Sequence, residues 1–127
     1  MNTFKYYLPA FFWICTLFFL SSLESDSIPS LGFQFDDLVA HFCVYTVLGY
    51  LLSIAFLRGE KALSRIALVL LLGWLYGMSD EVHQLFVPGR FATITDWGAD
   101  AVGTAFGLLI FLKVPGLFLW IDRKVFN

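Results

Sequence analysis

Long apolar stretches in this chain are separated by short segments rich in charged residues, proline or glycine. A helix needs about 20 residues, and seldom fewer than about 17, to cross a hydrocarbon core of about 30 Å. Four stretches reach that length, at residues 6–22, 38–57, 66–87 and 96–112. The pattern predicts an all-α integral membrane protein, a bundle of four transmembrane helices.

The composition supports a membrane location and argues against several other classes of protein. The 127 residues are 59% hydrophobic and 14% charged, and the mean hydropathy is +0.79. A soluble domain is about 45–50% apolar and about 25% charged. At this length we expect a single domain, residues 1–127. The net charge of −2, without a basic block, makes nucleic acid an unexpected partner.

The first apolar stretch has two interpretations. Lys5 precedes it and the small residues Ser21 and Ser22 follow it, as in a secretory signal peptide. A retained helix is favoured, because the stretch is dense in bulky aromatic residues, Pro9 lies in its first turns and no A-x-A-like cleavage site follows.

The positions of lysine and arginine predict the orientation of the bundle. Seven of the eight lie before the first helix, between the second and the third, or after the fourth; they are Lys5, Arg58, Lys61, Arg65, Lys113, Arg123 and Lys124. Arg90 is the exception. Cytoplasmic loops carry an excess of basic residues. Both termini are therefore expected in the cytoplasm, and the loops 23–36 and 88–95 outside.

Proline and glycine predict where the helices end. The pair Pro88-Gly89 should stop the third helix, because the residue before a proline disfavours the α conformation. Pro115-Gly116 should likewise end the fourth helix. The segment 117–124, which mixes bulky apolar residues with a charged end, is expected to form a short interfacial segment.

Three helices carry polar residues toward the outside and glycine toward the inside. In the second helix, Asp37, His41 and Tyr45 are four residues apart and share a face, which Gly49 continues. In the third helix, Asp80, Glu81 and Gln84 lie toward the outside and Gly73 and Gly77 toward the inside. In the fourth, Asp96 and Asp100 lie toward the outside and Gly103 and Gly107 toward the inside. Glycine lets helices approach closely in lipid, so the polar ends are expected to line a cavity open to the outside.

The cost of charge in lipid predicts that these acids converge. A carboxylate facing lipid at the helix centre costs about 2.5–3.5 kcal/mol. Arg90, after the Pro-Gly turn, can present a fork of donors to carboxylates or to a phosphate. Alternatively, it only clamps Asp80, Glu81 or Asp96. Several acids around one arginine would keep excess negative charge, which leaves room for a proton, a metal or a cationic ligand.

The polar segments resemble a known family pattern. Three segments are similar to the VanZ-like family of small bacterial membrane proteins. They are Asp37-Leu-Val-Ala-His41-Phe-Cys-Val-Tyr45, DExxQxxxPGR from Asp80 to Arg90, and Asp96-Trp-Gly-Ala-Asp100-Ala-Val-Gly103. The resemblance spans residues 37–107. Two positions depart from the pattern, Leu38 where lysine is common and Asp100 where asparagine is usual, and both make the site more acidic.

The resemblance implies a location in the bacterial inner membrane and a link to cell-envelope chemistry. The family takes its name from a member associated with resistance to the glycopeptide teicoplanin. The resemblance supplies no reaction, so whether the chain is an enzyme is argued from the site.

The first functional hypothesis is a site at the outer leaflet that handles a lipid-linked or cell-wall-related group. Its catalytic candidates are Asp37, His41, Asp80 and Glu81, with Asp37 orienting His41 one turn later. Its ligand-binding candidates are Tyr45, Gln84, Arg90, Asp96 and Asp100. Membrane lipids are expected partners. No cofactor is identified, although Asp96 and Asp100 can offer oxygen ligands to a divalent metal.

Two further hypotheses belong to other classes. In a proton or cation transporter, the intramembrane acids and His41 would form a relay, but the inner halves of the helices are mostly apolar and glycine. In a non-catalytic partner of an envelope enzyme, the polar cluster would only join the helices. His83 lies outside the family pattern and is expected to face lipid headgroups.

Overall fold

A computed structural model describes residues 3–28, 30 and 32–114, and within them every regular element is helical. The four α-helices are α1 (Leu8–Ser21), α2 (Asp36–Leu57), α3 (Leu63–Gln84) and α4 (Ile94–Lys113). Short 3-10 turns lie at Thr3–Tyr6, before α1, and at Ser25–Ser27, between α1 and α2. The predicted all-α class with four helices is confirmed.

Three segments are long and apolar enough to cross a membrane. They are Thr3–Ser21, Asp36–Leu57 and Leu63–Gln84, which correspond to the first three predicted spans. Helix α4 has 20 residues but falls outside this group, because it contains two carboxylates and several small residues. The chain is therefore an all-helical membrane protein with three clear candidate spans in its described part.

Helix α3 ends three residues before the predicted end at Val87. The amide of Leu85 bonds to the carbonyl of Val82 and that of Val87 to the carbonyl of Gln84, so the last turn tightens to a three-residue spacing. Gly89 then adopts a φ of +74°, which glycine tolerates. The predicted ends at Pro115-Gly116 and the interfacial segment 117–124 lie outside the described residues.

Helices α2 and α4 pack with their backbones in contact at two glycines of α4. A Cβ added to Gly103 would lie 2.5 Å from the carbonyl oxygen of Phe42. A Cβ on Gly107 would overlap the carbonyl oxygen of Thr46. Close approach of this kind replaces the hydrophobic drive for helix association in lipid. The predicted role of the glycine stripe is confirmed for this pair.

Helix α3 also packs against α4, through two of its own glycines. A Cβ on Gly73 would overlap the side chain of Thr104, and one on Gly77 would lie 3.0 Å from the side chain of Asp100. Side chains of α4 therefore fill the space that these glycines leave open. Helices α2, α3 and α4 form a tight core whose polar ends lie side by side.

Helix α1 lies against α2 and α3 and is held partly by polar contacts to backbone. The indole Nε1 of Trp13 donates to the carbonyl of Val44 over 2.9 Å, and the hydroxyl of Tyr76 donates to the carbonyl of Ile14 over 3.0 Å. Its other face exposes phenylalanine side chains, including Phe12 and Phe19. Helix α1 is thus a wall that covers one side of the polar ends.

Candidate functional site

Two adjoining cavities open where α2 and α4 begin and α3 ends. We call the larger one the polar vestibule; it measures about 460 Å³ and its lining includes Ser25, Asp37, Gln84, Arg90, Thr93 and Asp96. The smaller one, the apolar chamber, measures about 190 Å³ and its lining includes Leu17, Leu20, Leu23, Ile28 and Val44. The two cavities share Ile28, Asp37, Ala40, Gln84 and Arg90, so they lie directly beside each other.

The structure brings seven of the nine candidate residues to the walls of these cavities. They are Asp37, His41, Tyr45, Asp80, Gln84, Arg90 and Asp96. The other two, Glu81 and Asp100, are buried beside His41, where they contact its ring rather than the cavities. All nine therefore belong to one polar region, in two layers around a single histidine.

His41 is held by Asp100 from the neighbouring helix. Its Nδ1 lies 2.8 Å from Oδ1 of Asp100, and both side chains are buried. The hydrogen bond that was predicted for Asp37 is therefore made by Asp100, although a carboxylate oxygen of Asp37 lies within 4.8 Å of a ring nitrogen of His41. With Nδ1 engaged by Asp100, Nε2 is the nitrogen of His41 left for chemistry or binding.

A second carboxylate lies on the same side of the His41 ring. Oε1 of Glu81 is 4.0 Å from Nδ1, while Oε2 accepts a hydrogen bond from the backbone N–H of Thr93 at 2.9 Å. Oε1 of Glu81 and Oδ2 of Asp100 are buried without a hydrogen-bond partner among the described residues. Two acidic side chains therefore lie beside one imidazole, so the buried layer contains more acidic groups than basic ones.

Thr93 joins the start of α4 to α3, a role that the sequence analysis missed. Its hydroxyl oxygen accepts from the N–H of Asp96 at 3.0 Å and caps α4, while its own N–H is the donor to Glu81. A Thr-x-x-Asp spacing before an apolar run is a capping signal, and Thr93 and Asp96 carry it. The same four residues thus begin α4 and fix the position of Glu81.

Replacing Thr93 with alanine removes that capping oxygen and leaves the backbone donor to Glu81 in place. We expect a loss of about 1 kcal/mol in the free energy of unfolding, the usual cost of deleting a threonine cap. Thr93→Ser keeps an oxygen at the same position and serves as the matched control. Thermal unfolding in detergent measures both, and equal stability of the two variants would contradict the capping role.

Tyr45 and Asp80 form a second polar contact at the chamber. The hydroxyl of Tyr45 donates to Oδ2 of Asp80 across 3.3 Å, and both residues are buried. Gln84, one turn beyond Asp80 on α3, is also buried and lines both cavities. These side chains form the polar wall of an otherwise apolar chamber.

Arg90 lines both cavities without forming a clamp on the acids. Among the described residues no carboxylate lies within 4.0 Å of its side-chain nitrogens, so Asp80, Glu81 and Asp96 are not its ion-pair partners. The alternative of a purely structural clamp is therefore wrong for these residues. The guanidinium keeps its planar fork of donors for a group in the cavity.

Two clusters bring possible metal ligands together, and they differ from the predicted pair. In each cluster the ligand atoms lie within 4.8 Å of one another; one is Asp37, His41 and Asp96, and the other is His41, Glu81 and Asp100. The sequence analysis paired Asp96 with Asp100. The structure places these two residues in different clusters, which have His41 in common.

His83 contacts α1 and not only the lipid headgroup region. Its Nε2 lies 2.9 Å from the hydroxyl oxygen of Ser22, and its ring stacks on Phe18 with 4.7 Å between centroids. Ser22 donates its single hydroxyl proton to the carbonyl of Phe18, so Nε2–H of His83 is the donor in the other bond. The headgroup expectation for His83 is therefore corrected to a contact between α3 and α1.

The apolar lining from α1 and the turn after it was also missed by the sequence analysis. Leu17, Leu20 and Leu23 line the chamber, but in the sequence they resemble any residues of a membrane span. Only the packing of α1 beside the polar ends distinguishes them from residues that face lipid.

Comparison with known proteins gives one result. No curated protein and no solved structure matches the chain. The family model described as VanZ/LLP1 matches residues 4–119, which is nearly the whole chain and includes every candidate site residue. The protein therefore belongs to the VanZ/LLP1 family.

Proposed function

We propose that this protein is a four-span protein of the bacterial inner membrane that binds a phosphorylated amphiphile from the outer leaflet, as part of cell-envelope or glycopeptide-resistance-related chemistry. The observation that carries the proposal is that the polar vestibule lies directly beside the apolar chamber and shares five lining residues with it. An amphiphile has the matching division into a polar headgroup and a hydrocarbon chain. Membership of the family fits an envelope role.

Arg90 supports an anionic headgroup. It lies at the boundary of the two cavities, and its guanidinium has no ion pair among the described residues. Arginine binds phosphate through two parallel hydrogen bonds. The vestibule volume of about 460 Å³ falls within the range of about 300–1,000 Å³ typical of small-molecule sites. A phosphate at Arg90 would leave the attached chain beside the chamber.

The fourth span is supported by how α4 distributes its residues. Asp96, Asp100 and Thr104 are buried, whereas Val102 and Leu109 are exposed. The surface that α4 offers to lipid is thus apolar, although its average composition is not. Four spans, together with the excess of lysine and arginine at the other end, support a topology with both termini in the cytoplasm and the vestibule outside.

Binding is favoured over a relay through the membrane. Below the site, the backbones of α2 and α4 meet at Gly103 and Gly107. Ser53 and Thr104 are buried nearby, but each donates to a carbonyl of its own helix, at 2.7 and 2.9 Å. Neither hydroxyl continues the polar site toward the other membrane face, so a proton or cation would lack this route.

The proposal is tested by measuring the affinity of the purified protein for dodecyl phosphate in nanodiscs. Arg90→Gln removes the charged fork, and a charge-assisted hydrogen bond contributes about 1.5–3 kcal/mol. We expect an affinity loss of about 100-fold. Arg65→Gln is the matched control, since Arg65 is an exposed arginine that pairs with Glu60 at the opposite end of α3.

Two further ligands separate the parts of the proposal. Inorganic phosphate, which lacks a chain, should bind much more weakly than dodecyl phosphate, and dodecyl maltoside, which lacks a charge, should bind equally to the wild type and to Arg90→Gln. Equal affinity of the wild type and Arg90→Gln for dodecyl phosphate would overturn the headgroup assignment. Equal affinity for inorganic and dodecyl phosphate would overturn the role of the chamber.

A further inference from the structure

We infer that Asp37, His41 and Asp96 form a binding site for a divalent transition-metal ion where the polar vestibule meets the apolar chamber. The inference deepens the proposed function, since the ion would share the vestibule with the headgroup. It does not require the amphiphile, because the metal can be measured alone. Four observations carry it: the geometry of the three side chains, the unpartnered carboxylate of Asp96, the anchoring of His41 and the free space before them.

The three side chains converge from two helices. Asp37 and His41 are four residues apart in the first two turns of α2, and Asp96 lies in the first turn of α4. One ligand atom of each lies within 4.8 Å of the others. Metal bonds of about 2.0–2.2 Å to nitrogen and oxygen bring ligand atoms within about 4 Å, which small side-chain rotations achieve here.

Asp96 provides independent evidence for a ligand. Asp96 is only 6% exposed, and its carboxylate makes no hydrogen bond or ion pair with the described residues. The hydrogen bond at Asp96 uses its backbone N–H, with Thr93 as acceptor. A buried carboxylate without a partner is costly unless a cation or donor meets it. The carboxylate lines the vestibule, so a cation there would satisfy it.

His41 has the support that a metal-binding histidine requires. Histidine ligands usually donate the second ring N–H to a carboxylate, which fixes the ring and raises the basicity of the ligating nitrogen. Asp100 accepts from Nδ1 of His41 at 2.8 Å and is fully buried. Nε2 is then the ligating atom, and Asp100 is a positioning residue.

The second cluster, which contains Glu81 and Asp100, is the supporting layer and not the metal site. Nδ1 of His41 is already bound to Asp100, and Oε2 of Glu81 is bound to the N–H of Thr93. Asp100 has no exposed surface through which an ion could reach it. The unpartnered oxygens of Glu81 and Asp100 add negative charge behind His41, which favours a cation in front of it.

The ligand set selects the class of ion and its role. Two carboxylates with one imidazole suit a hard ion such as Mn²⁺ or a borderline ion such as Zn²⁺ better than a soft ion that prefers sulfur. Three protein ligands leave coordination positions open toward the vestibule. Arg90 lines the same space, so a phosphate there would be bound by the guanidinium and by the ion together.

The experiment titrates the purified full chain in nanodiscs with Mn²⁺ alone and follows binding by electron paramagnetic resonance. We expect one bound ion whose pulsed spectrum contains a nitrogen coupling from His41. Asp96→Asn should weaken binding by at least about 100-fold, and Asp100→Asn by about 10–100-fold, because the amide keeps the hydrogen bond but not the negative charge that raises the basicity of His41. His41→Gln should remove the nitrogen coupling. Glu60→Gln, an exposed acid at the other end of the bundle, is the control.

The outcomes separate the metal site from the proposed function. If the wild type does not bind Mn²⁺, or binds it without a nitrogen coupling in the pulsed spectrum, the metal site is overturned. This result needs only the wild type, so it holds even if a variant fails to fold. Mn²⁺ affinity of Asp96→Asn equal to that of Glu60→Gln also overturns it. If dodecyl phosphate still binds in those cases, the proposed function stands alone. Metal binding that persists while Arg90→Gln binds dodecyl phosphate normally would support this site and contradict the headgroup assignment.

Discussion

Replacing Gly107 with alanine is expected to destabilise the protein strongly. The added Cβ would overlap the carbonyl oxygen of Thr46 and lie 2.6 Å from the amide nitrogen of Tyr50. Overpacking by small groups costs typically about 1–3 kcal/mol when side chains can rotate aside. Here the obstacle is the backbone of α2, so α4 must move as a whole. We therefore expect a loss of at least about 3 kcal/mol in the free energy of unfolding.

Gly98→Ala provides the matched control for this prediction. Gly98 lies on α4 as well, but a Cβ built there would meet nothing within 4 Å. Alanine is favoured over glycine in a helix by up to about 1 kcal/mol, so this variant should be as stable as the wild type or slightly more stable. Unfolding in mixed detergent micelles, followed by tryptophan fluorescence, measures both. Equal stability of the two variants would show that backbone contact between α2 and α4 is not required.

The glycine pattern illustrates what the sequence could predict. The spacing of Gly103 and Gly107 places both on one face of α4, and only a close neighbour makes that face useful in lipid. The same periodicity placed the polar residues of α2, α3 and α4 at one end of each of these three helices. Helix bounds were less accurate, because the tightened last turn of α3 depends on local hydrogen bonds that an apolar run does not reveal.

Contacts between helices could not be predicted in this way. Helical spacing identified Asp37 as the neighbour of His41, because the two residues are four apart. The hydrogen bond comes instead from Asp100, which is 59 residues away in the chain. Which face of α4 meets α2, and at which height, depends on the packing of both backbones at Gly103. The polar set was thus foreseeable, but its pairing was not.

Replacing Asp100 with alanine should have the largest effect among changes to the candidate site. Removing one partner of a buried charged pair costs about 3–5 kcal/mol, because the remaining group loses its partner without regaining water. Here Nδ1 of His41 would lose its acceptor at 2.8 Å. Asp100→Asn keeps an oxygen that accepts from Nδ1–H and should stay within about 1 kcal/mol of the wild type. Stability in mixed micelles distinguishes the two.

The size of the loss depends on Glu81, and this dependence tests the arrangement of the buried layer. Oε1 of Glu81 lacks a hydrogen-bond partner and lies 4.0 Å from Nδ1 of His41, so a small shift lets it replace the lost acceptor. The cost of Asp100→Ala alone would then lie at the lower end of the range of about 3–5 kcal/mol. In Glu81→Gln the N–H of Thr93 holds the amide oxygen, so the NH2 group faces Nδ1 and cannot accept from it. The double change should therefore cost more than the sum of the single changes, since residues in one network couple by about 0.5–3 kcal/mol. Additive losses would contradict this arrangement, because Glu81 can replace Asp100 as the acceptor only while its own carboxylate remains.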